Sequence, residues 1–437
     1  MTLAPALLLA ALAGAPLTLD DALAEAARAS GDVALARAQL AEAGIDASEA
    51  WAGVLPRLDL TVSAGHLWTG EQRTAPSFGL PAFVGPPADS AQYDGRLDLQ
   101  LPIFDGGRNW NGIRRSAASE RAAARALDET RLGVGFETLR RFYELVKAQE
   151  SLRVLEATVA RSEEFVRRTE ALFEAGRGSR ADVLSAAGNL GTDRIAVEQG
   201  RARLAAAQAD LATALGRDRS EDLEAVPPPA ALGETAPATA PPEPELLALA
   251  RRSRPLLATR GEEIRAAELS QVVARGAWFP SFAARGAYDR QSFSFGGDYG
   301  LVGQPQKQYA ATAALVLSWN LYEGGRTRGE EQRAAVATTR ARVQAAQADT
   351  QVAAEISRAR ANLIALGRAA AIAADNLATA EQGVRLARDR LDAGVATQLE
   401  VRDASLKLTQ AQLTLVQTRI DRVVARADLS RAVGGVL

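Results

Sequence analysis

The residue types that most often carry out chemistry in proteins are nearly missing from this sequence. Its 437 residues include no cysteine, one methionine and one histidine, His66. Thiol chemistry, cysteine-based zinc sites and lipid attachment through an N-terminal cysteine are therefore excluded. His66 falls in a stretch that predicts a strand, where a structural role is expected. The sequence contains no nucleophile with a matching base, no phosphate-binding loop and no metal-ligand spacing, so it supports neither an enzyme nor a cofactor nor a metal site.

The charge and composition favour long helices and exclude a nucleic-acid partner. Lys and Arg (51) nearly balance Asp and Glu (53), which leaves a formal charge of −2. Because the charges alternate along the helical stretches and form no basic blocks, nucleic acid is not an expected partner. Hydrophobic residues make up 47% of the chain, mostly Ala and Leu, and aromatic residues only 5%, which is typical of extended helices.

A short Gly-Gly-Arg phrase occurs twice. It reads LPIFDGGRNW at 101–110 and WNLYEGGRTR at 319–328, so Arg108 and Arg326 are 218 residues apart. A second pair of glycines, Gly176 in FEAGRGSRADVLSA and Gly394 in LDAGVATQLEVRDA, keeps the same offset. The sequence therefore predicts an internal two-fold repeat. The repeats are expected at 16–224 and 244–437, joined by a Pro- and Ala-rich connector at 225–243.

Each repeat predicts long helices with coiled-coil periodicity. Apolar residues recur every seven positions, as in Leu399, Leu406 and Leu413, and this period favours left-handed coiled-coil packing. Two helices of about 100 Å are expected, at about 1.5 Å per residue. On periodicity alone, an ordinary cytoplasmic coiled coil or a helical bundle core is the favoured interpretation. The expected long helices cover 107–175 and 325–393, and the shorter ones about 20–52, 177–216, 243–277 and 395–435.

The stretch before each Gly-Gly-Arg phrase alternates between apolar and polar residues. From Tyr93 to Ile103 the odd positions are mainly apolar and the even ones polar, over about the length of a tilted transmembrane strand. The second copy repeats the pattern, which places Leu99 and Leu317 on apolar faces. Shorter alternating stretches follow Pro56 and Pro280. Each half is therefore predicted to contain a two-stranded hairpin, at 57–104 and 281–322.

The aromatic residues cluster around these predicted strands. Of the 22 Phe, Trp and Tyr residues, 17 fall within 51–110 and 278–322, including all five Trp. Rings at the ends of strands are typical of the girdles that transmembrane strands place at lipid headgroups. This clustering favours a membrane over a soluble sheet. The predicted girdle residues are Trp68, Tyr93, Phe104, Tyr288, Tyr309, Trp319 and Tyr322.

Four strands cannot close a barrel by themselves, because about eight are needed even to fill the interior with side chains. An open sheet edge is also unstable in lipid. The chain is therefore expected to share its strands with other copies of itself. Residues 1–15 hold an apolar run followed by Ala11-Leu12-Ala13, which predicts a cleaved signal peptide and export. No later stretch approaches the roughly 20 apolar residues of a spanning helix.

These motifs, in this order and present twice, resemble the TolC-like outer membrane factor family of Gram-negative bacteria. The resemblance covers nearly the whole chain, from LTLDDALAEAARASGDVALARAQL through LPRLDL, PIFDGGR and AGRGSRADVLSA to their second-half equivalents. It implies a mainly α fold with a small β part, in which a homotrimer shares a twelve-stranded outer-membrane β-barrel. Coiled-coil helices continue this barrel as an α-barrel that projects into the periplasm.

The implied function is the exit duct of a tripartite efflux pump or a type I secretion system. Such a duct conducts substrates passively and is opened by a periplasmic adaptor (membrane fusion) protein and an inner-membrane pump. Outer-membrane lipid is the further expected partner. An exported periplasmic coiled-coil scaffold without channel activity is the alternative, and a soluble cytoplasmic bundle would require an uncleaved N-terminus.

The resemblance also assigns roles to particular residues. Paired glycines permit the φ values that turn each strand into a helix, after the proline or acidic residue that ends the strand. The glycines of the second pair lie at the periplasmic tips, where the adaptor binds, and nearby carboxylates ring the pore. The barrel-to-tunnel joints are Pro102, Asp105, Gly106, Gly107, Glu323, Gly324 and Gly325; the tip turns are Gly176, Arg177, Gly394 and Val395; the pore gate is Glu400, Asp403 and Asp182.

One position departs from the family pattern. An arginine that latches the closed state in the best-known member corresponds here to Ala396. Arg402, Arg177 and Arg180 are the available substitutes, and the sequence does not decide among them. The carboxylates of Glu400 and Asp403 also remain compatible with an ordinary solvated helix face.

Overall fold

A computed structural model describes residues 16–74, 83–85, 87–217, 223–228, 240–304 and 309–435. The predicted signal peptide at 1–15 and part of the predicted connector, 229–239, lie outside the described residues. The first half contains β1 (Leu17–Thr18), α1 (Leu19–Ala29), α2 (Gly31–Glu49), a 3₁₀ turn (Ala50–Gly53), β2 (Arg57–Thr69), β3 (Gln72–Thr74), β4 (Phe83–Gly85), β5 (Ala88–Phe104), α3 (Arg108–Glu174), α4 (Arg180–Leu215) and β6 (Ala225–Val226). The second half contains α5 (Glu243–Ser253), α6 (Pro255–Gly276), β7 (Ser281–Ser292), β8 (Ala310–Ser318), α7 (Arg326–Asp392) and α8 (Gln398–Ala432).

The chain divides into two compact units. Of the described residues, those within 16–40, 123–259 and 345–435 form one unit, and those within 41–122 and 260–344 form the other. The first, the helical unit, holds most of the coiled-coil helices. The second, the sheet unit, holds β2, β5, β7 and β8 with the helix ends next to them. Each unit therefore draws on both sequence repeats.

The core of the helical unit combines two aromatic residues with leucines, other aliphatic residues and some alanines. Phe142 and Tyr143 of α3 are fully buried, and their rings meet edge to face at 5.5 Å between centroids. Leu211 and Leu215 of α4 belong to the same cluster. The short strands β1 and β6 pair in parallel and bring Leu17 into this cluster, which anchors the start of the described chain.

Helix α8 carries two heptad stripes, and in the N-terminal part of the helix only one of them is buried within the chain. Val401, Leu408 and Leu415 are buried, and Leu429 continues their register. In contrast, Leu399 is 76% exposed and Leu406 47% exposed. The heptad that is most visible in the sequence is therefore the outer one at this end of the helix. A second apolar stripe at coiled-coil spacing leaves a surface that is available to another helix.

Two of the predicted helices are interrupted in the structure. The stretch expected as one helix at about 20–52 breaks at Ser30, whose backbone is extended (φ −62°, ψ 124°). The stretch expected at about 243–277 breaks at Arg254 (φ −71°, ψ 117°), directly before Pro255. A residue that precedes proline disfavours helical φ and ψ angles, so Pro255 is a sequence signal for the second break.

The sheet unit contains a four-stranded antiparallel sheet in the order β2-β5-β7-β8. Its register brings Leu60, Leu97, Tyr288 and Ala311 side by side, and two residues further along it brings Leu58, Leu99 and Gly286 together. Because side chains alternate along a strand, one face collects the apolar residues of all four strands. The apolar positions predicted for β5 and β8 thus lie on the same face.

One described helix satisfies a length and composition test for a membrane span. An 18-residue window within α7 (Arg326–Asp392) is sufficiently apolar and low in charge, contrary to the expectation of no such stretch. Only 22% of that window is buried. The same test is met by Ala-rich helices of bundles, so it does not by itself define a spanning helix.

Candidate functional site

The first joint, Asp105, Gly106 and Gly107, turns β5 into α3 in a crowded setting. Gly106 has φ +74° and Gly107 has φ +77°, in the left-handed region that favours glycine. A Cβ at Gly106 would collide with the carbonyl oxygen of Gly276. Asp105 Oδ2 accepts a hydrogen bond of 2.7 Å from the backbone N–H of Asn109, which satisfies one free donor at the start of α3.

The second joint, Glu323, Gly324 and Gly325, has the same backbone but open surroundings. Gly324 has φ +61° and Gly325 has φ +86°. A Cβ added at either glycine meets nothing within 4 Å. The Glu323 carboxylate accepts hydrogen bonds of 2.7 and 2.8 Å from the Arg326 guanidinium, at the first residue of α7. The joint is thus fixed by backbone conformation and one exposed ion pair.

Pro102 does not end its strand, contrary to the expectation for the first joint. It pairs with Ala283 of β7, and β5 continues to Phe104. The register of the β5–β7 ladder shifts between Pro102 and Phe104. Because proline lacks an N–H, it is tolerated where the ladder of backbone hydrogen bonds between two strands is irregular.

The two tip turns have the same hydrogen-bonding pattern. Gly176 (φ +70°) ends α3 and Gly394 (φ +74°) ends α7. In each turn the glycine N–H and the following N–H donate back to the last helical turn, which satisfies carbonyls that the helix leaves free. The outer of these bonds run from Arg177 N to Leu172 O at 2.8 Å and from Val395 N to Arg390 O at 2.9 Å.

Both return helices begin with a capping box. In α4 the Ser179 hydroxyl accepts from the Asp182 N–H, and the Asp182 carboxylate accepts from the Ser179 N–H at 3.1 Å. In α8 Thr397 and Glu400 form the same reciprocal pair. These bonds satisfy donors at the helix start. Asp182 and Glu400 thus have a local structural role in addition to any role at a pore.

The two gate carboxylates of α8 each lie beside a cation in the single chain. Glu400 Oε2 is 3.2 Å from Arg390 Nη1, and Asp403 Oδ2 is 2.7 Å from Lys407 Nζ. All four side chains are largely exposed, so these ion pairs contribute little to stability. These two cations were not predicted from the sequence, although Lys407 follows Asp403 by four residues.

Arg402, one of the three candidates to replace the latch arginine, is engaged in a buried ion pair. Its Nη1 and Nη2 donate to the two carboxylate oxygens of Asp193 at 2.7 and 2.9 Å. Asp193 also accepts a hydrogen bond from the Ser162 hydroxyl at 2.5 Å. The pair joins α8 to α4. Asp193 went unnoticed in the sequence, although it is a charged residue seven positions after the buried Ala186, within a coiled-coil stripe.

Tyr288 with Tyr309 marks one aromatic level along the strands, and Phe104 with Phe282 marks a second. Tyr288 stacks on Tyr309 at 5.7 Å between ring centroids, and the partner of Tyr288 on β5 is Leu97. Phe104, near Phe282 at 6.3 Å, is seven residues further along β5, or about 24 Å at about 3.4 Å per residue. Because strands of outer-membrane barrels tilt by about 35–45°, this spacing corresponds to about 17–20 Å of height, which lies within an apolar band of about 25 Å. Tyr93 lies four residues beyond Leu97 on β5, and Trp68 pairs with Asp89, eight residues beyond Leu97, so both lie further from Phe104 than Tyr288 does. Trp319 and Tyr322 follow β8, which ends at Ser318 rather than at 322.

The opposite face of the sheet is charged. Arg96 Nε is 2.7 Å from Asp98 Oδ2, and Arg96 Nη1 is 3.2 Å from Asp289 Oδ1 of β7. On the other, apolar face, toward the far end of the strands, His66 of β2 contacts Asp89 of β5, which supports its structural role. Within the ranges that the structure describes, no group of three or more His, Cys, Asp or Glu side chains that could hold a metal ion is found.

Long paired helices and a sheet with one apolar and one charged face are features of outer-membrane channel proteins, and solved structures share this fold. The outer membrane protein VceC of Vibrio cholerae matches with a TM-score of 0.78 at 19% identity, over 95% of this chain and 96% of VceC. CusC, a protein that undergoes transmembrane channel formation, matches with a TM-score of 0.82 at 18% identity, over 95% of this chain and 92% of CusC. The fold class expected from the sequence, mainly α with a small β part, is confirmed.

The sequence itself identifies the family. The sequence model for outer membrane efflux proteins matches residues 22–217 and 246–435, which together make up most of the chain. The protein belongs to the outer membrane efflux protein family. The outer membrane efflux protein BepC of Brucella suis biovar 1 is 24% identical over 350 residues, 80% of this chain and 74% of BepC. The resemblance seen in the motifs is confirmed, and family membership implies an outer-membrane location in a Gram-negative bacterium.

Proposed function

We propose that three copies of this chain form one outer-membrane channel that serves as a passive exit duct. The observation that carries this proposal is the four-stranded sheet with one apolar face and two outer strands, β2 and β8, that have one partner each. An unpaired edge is unstable in lipid, so β8 of one copy pairs with β2 of the next. Three copies then close a barrel of twelve strands, wide enough to hold water.

The helical unit forms the periplasmic part of the duct in this proposal. Leu399 and Leu406 remain exposed in the single chain at coiled-coil spacing. A second apolar stripe of this kind packs against the helices of a neighbouring copy and closes the helices into an α-barrel. The duct itself catalyses nothing, and an inner-membrane pump supplies the driving force.

The tips are the surface that an adaptor protein engages. Gly176 and Gly394 form short, exposed turns, and a Cβ at either position meets nothing within 4 Å. Val395 is 64% exposed at the second turn, beside Arg390 and Glu400. A helical hairpin of a periplasmic adaptor can therefore approach without displacing any side chain. Arg177 at the first turn belongs to the same surface.

The pore gate is the ring formed by Glu400 and Asp403 of three copies, with Asp182 as the first-half counterpart. Like charges held around a narrow axis attract cations and repel one another. Arg390 and Lys407 neutralise part of this field, at 3.2 and 2.7 Å from the carboxylates. The gate is therefore cation-attracting but weaker than the count of carboxylates implies.

The buried Asp193–Arg402 pair holds the closed gate in place of the latch arginine that corresponds to Ala396. It joins α8, which bears Glu400 and Asp403, to α4. Removing one partner of a buried ion pair leaves the other charge uncompensated, at a cost of about 3–5 kcal/mol. This is enough to keep the helices together until a partner protein rearranges them. Of the three candidate arginines, Arg402 is therefore the one assigned this role.

The duct is tested with substitutions at two consecutive residues of β5, whose side chains lie on opposite faces of the sheet. Leu99→Arg places a charge on the apolar face and should destabilise insertion by about 2–4 kcal/mol if it lies near the bilayer midplane. Gln100→Arg faces the lumen and should be tolerated. The measurement is the yield of heat-modifiable trimers in detergent-extracted outer membranes, followed by conductance in planar bilayers. Equal yields for both variants, with no conductance from the purified wild type, would instead support an exported coiled-coil scaffold.

A further inference from the structure

The described segment after β7, residues 293–304, folds back on the apolar face of the sheet. This β7 loop is held together by its own backbone: Leu301 N donates to Ser294 O at 2.9 Å, and Val302 N donates to Phe295 O at 3.1 Å. Leu301 is buried, and its Cδ1 lies 3.1 Å from where a Cβ on Gly95 would be. The absence of a side chain at Gly95 therefore makes room for the loop.

An arginine on the apolar face fixes the loop. Arg290 follows Tyr288 by two residues and pairs in register with Gly95, so its side chain belongs to the apolar face. It is only 9% exposed, and its Nη2 donates to Gly300 O at 2.9 Å and to Gln304 O at 3.0 Å. A charged side chain on the lipid face of a barrel is costly unless it is covered. The loop provides that cover with its own carbonyls.

The outer surface of the loop is apolar and aromatic. Phe293, Phe295, Tyr299 and Val302 are each more than half exposed. Asp298 is the only charged residue among positions 293–304. The rings lie beyond Tyr288 and Tyr309 in strand order, and the Phe295 ring packs on Tyr93 at 5.9 Å between centroids. The loop therefore extends the first aromatic level away from the apolar band.

We propose that the β7 loop is a lipid-binding element that inserts Phe293, Phe295 and Tyr299 into the headgroup–acyl boundary of the outer leaflet. Arg290 acts as the positioning residue that holds the loop against the sheet. Aromatic rings are favoured at this boundary because their apolar bodies and polar edges match it. This inference rests on the proposed membrane insertion of the sheet.

The position of the loop favours lipid over a second copy of the chain. The loop lies over β5 and β7, the two central strands of the order β2-β5-β7-β8. Neighbouring copies would meet at the outer strands, β2 and β8. The central part of an apolar barrel face contacts lipid.

The test uses the absence of cysteine in the chain. Phe295→Cys labelled with the fluorophore NBD gives a single reporter on the loop in phosphatidylcholine vesicles. If the loop lies at the boundary, lipids with a nitroxide near the headgroup should quench the label more than lipids with a nitroxide at the chain end. Iodide in the water should quench it weakly. Quenching by iodide alone, or by neither agent, overturns the proposal and indicates a solvated loop or a protein contact, respectively.

Two control labels separate failure of this proposal from failure of the channel. Leu315→Cys, on the apolar face of β8 and 79% exposed, should be quenched by nitroxide lipids if the sheet is inserted. Thr312→Cys, on the opposite face of the same strand, should respond to iodide and not to lipid. A Leu315 label that nitroxide lipids do not reach would contradict insertion itself. A quenched Leu315 label with an unquenched Phe295 label would contradict the loop proposal alone.

The role of Arg290 is tested on the same reporter. Arg290→Met removes the hydrogen bonds to Gly300 and Gln304 while leaving an apolar side chain of similar length. In the Phe295→Cys background this change should shift the label from lipid to iodide quenching, with the yield of heat-modifiable trimers as a check of assembly. Unchanged lipid quenching in assembled protein would rule out Arg290 as the positioning residue.

Discussion

The two joints have the same sequence phrase and the same backbone but different surroundings. Both use two glycines with positive φ before a helix that begins with arginine. At the first joint the Cβ position of Gly106 is filled by the Gly276 carbonyl, whereas at the second joint the space around Gly324 and Gly325 is open. A repeated motif therefore repeats a conformation and not the packing around it.

The residues after the joints differ in the same way. The 218-residue offset between the repeats aligns Ile113 of α3 with Glu331 of α7. Ile113 is buried, and nearby Trp51 and Trp110 meet edge to face at 5.8 Å between centroids. Glu331 instead accepts hydrogen bonds from the Arg275 guanidinium and from the Trp278 ring N–H. The first joint is supported by packing together with polar contacts such as the Asp105–Asn109 hydrogen bond, and the second mainly by polar contacts.

The largest expected effect is at the first joint. Gly106→Ala combines a positive φ that disfavours an L-residue with a collision against the Gly276 carbonyl, and we expect destabilisation of about 2–5 kcal/mol. Gly324→Ala places an L-residue at a positive φ but causes no collision, so it should lower the free energy of unfolding by about 1–2 kcal/mol. The measurement is the thermal midpoint and yield of assembled protein for each variant. Equal losses at the two joints would show that the packing difference has no energetic consequence.

The periodicities of the sequence predicted the parts of the fold that depend on local pattern. Alternation placed Leu99 and Leu317 on one face, and the register of the sheet agrees because strand period is a local property. The break at Ser30 was missed, since a single serine between helical stretches is a weak signal. The contact of the β7 loop with Gly95 joins positions about 200 residues apart in the chain, and no local pattern encodes it.

The candidate site, like the fold, was predicted where it depends on local sequence and was not predicted where it depends on helix packing. Paired glycines indicated turns from the sequence alone, because glycine adopts positive φ much more readily than other residues do. The pairing of Asp193 with Arg402 was not predicted, because the packing of the helices determines which charged side chains meet. The gate and adaptor assignments come from family resemblance and stay predictions.

At the tips, unlike at the joints, the glycines of the two halves have equivalent surroundings. A Cβ at Gly176 or Gly394 meets nothing within 4 Å, so Gly176→Val and Gly394→Val should each lose about 1–2 kcal/mol from the backbone alone. Trimers should still assemble, while export of a pump substrate from cells should fall because the adaptor surface is altered. Normal export by the assembled Gly394→Val variant would count against the tip as the docking surface.

The gate carboxylates should differ between the halves. Glu400→Gln with Asp403→Asn keeps the shape and removes six charges from a trimer, so the cation selectivity of the pore in planar bilayers should fall, together with its block by trivalent cations. Asp182→Asn should have a smaller effect, because Asp182 is the first-half counterpart and only one carboxylate per copy is removed. If the double variant kept its selectivity and block, both carboxylates would belong to an ordinary solvated helix face.

The smallest expected effect is the acid sensitivity of the second joint. Hydrogen bonds from Arg275 and then from Trp278 hold the pKa of Glu331 below its ordinary range. A carboxyl whose pKa is lower in the folded state stabilises the fold above its unfolded pKa, and this contribution is lost as the pH falls through the folded pKa. The thermal midpoint of the wild type should therefore exceed that of Glu331→Gln at neutral pH, and the difference should shrink on acidification. Ile113→Val, at the aligned position of the first joint, removes one buried methyl group and should lower the midpoint by the same amount at every pH, because no titrating group is changed. A difference between wild type and Glu331→Gln that stays constant with pH would show that the polar contacts of the second joint do not depend on the charge of Glu331.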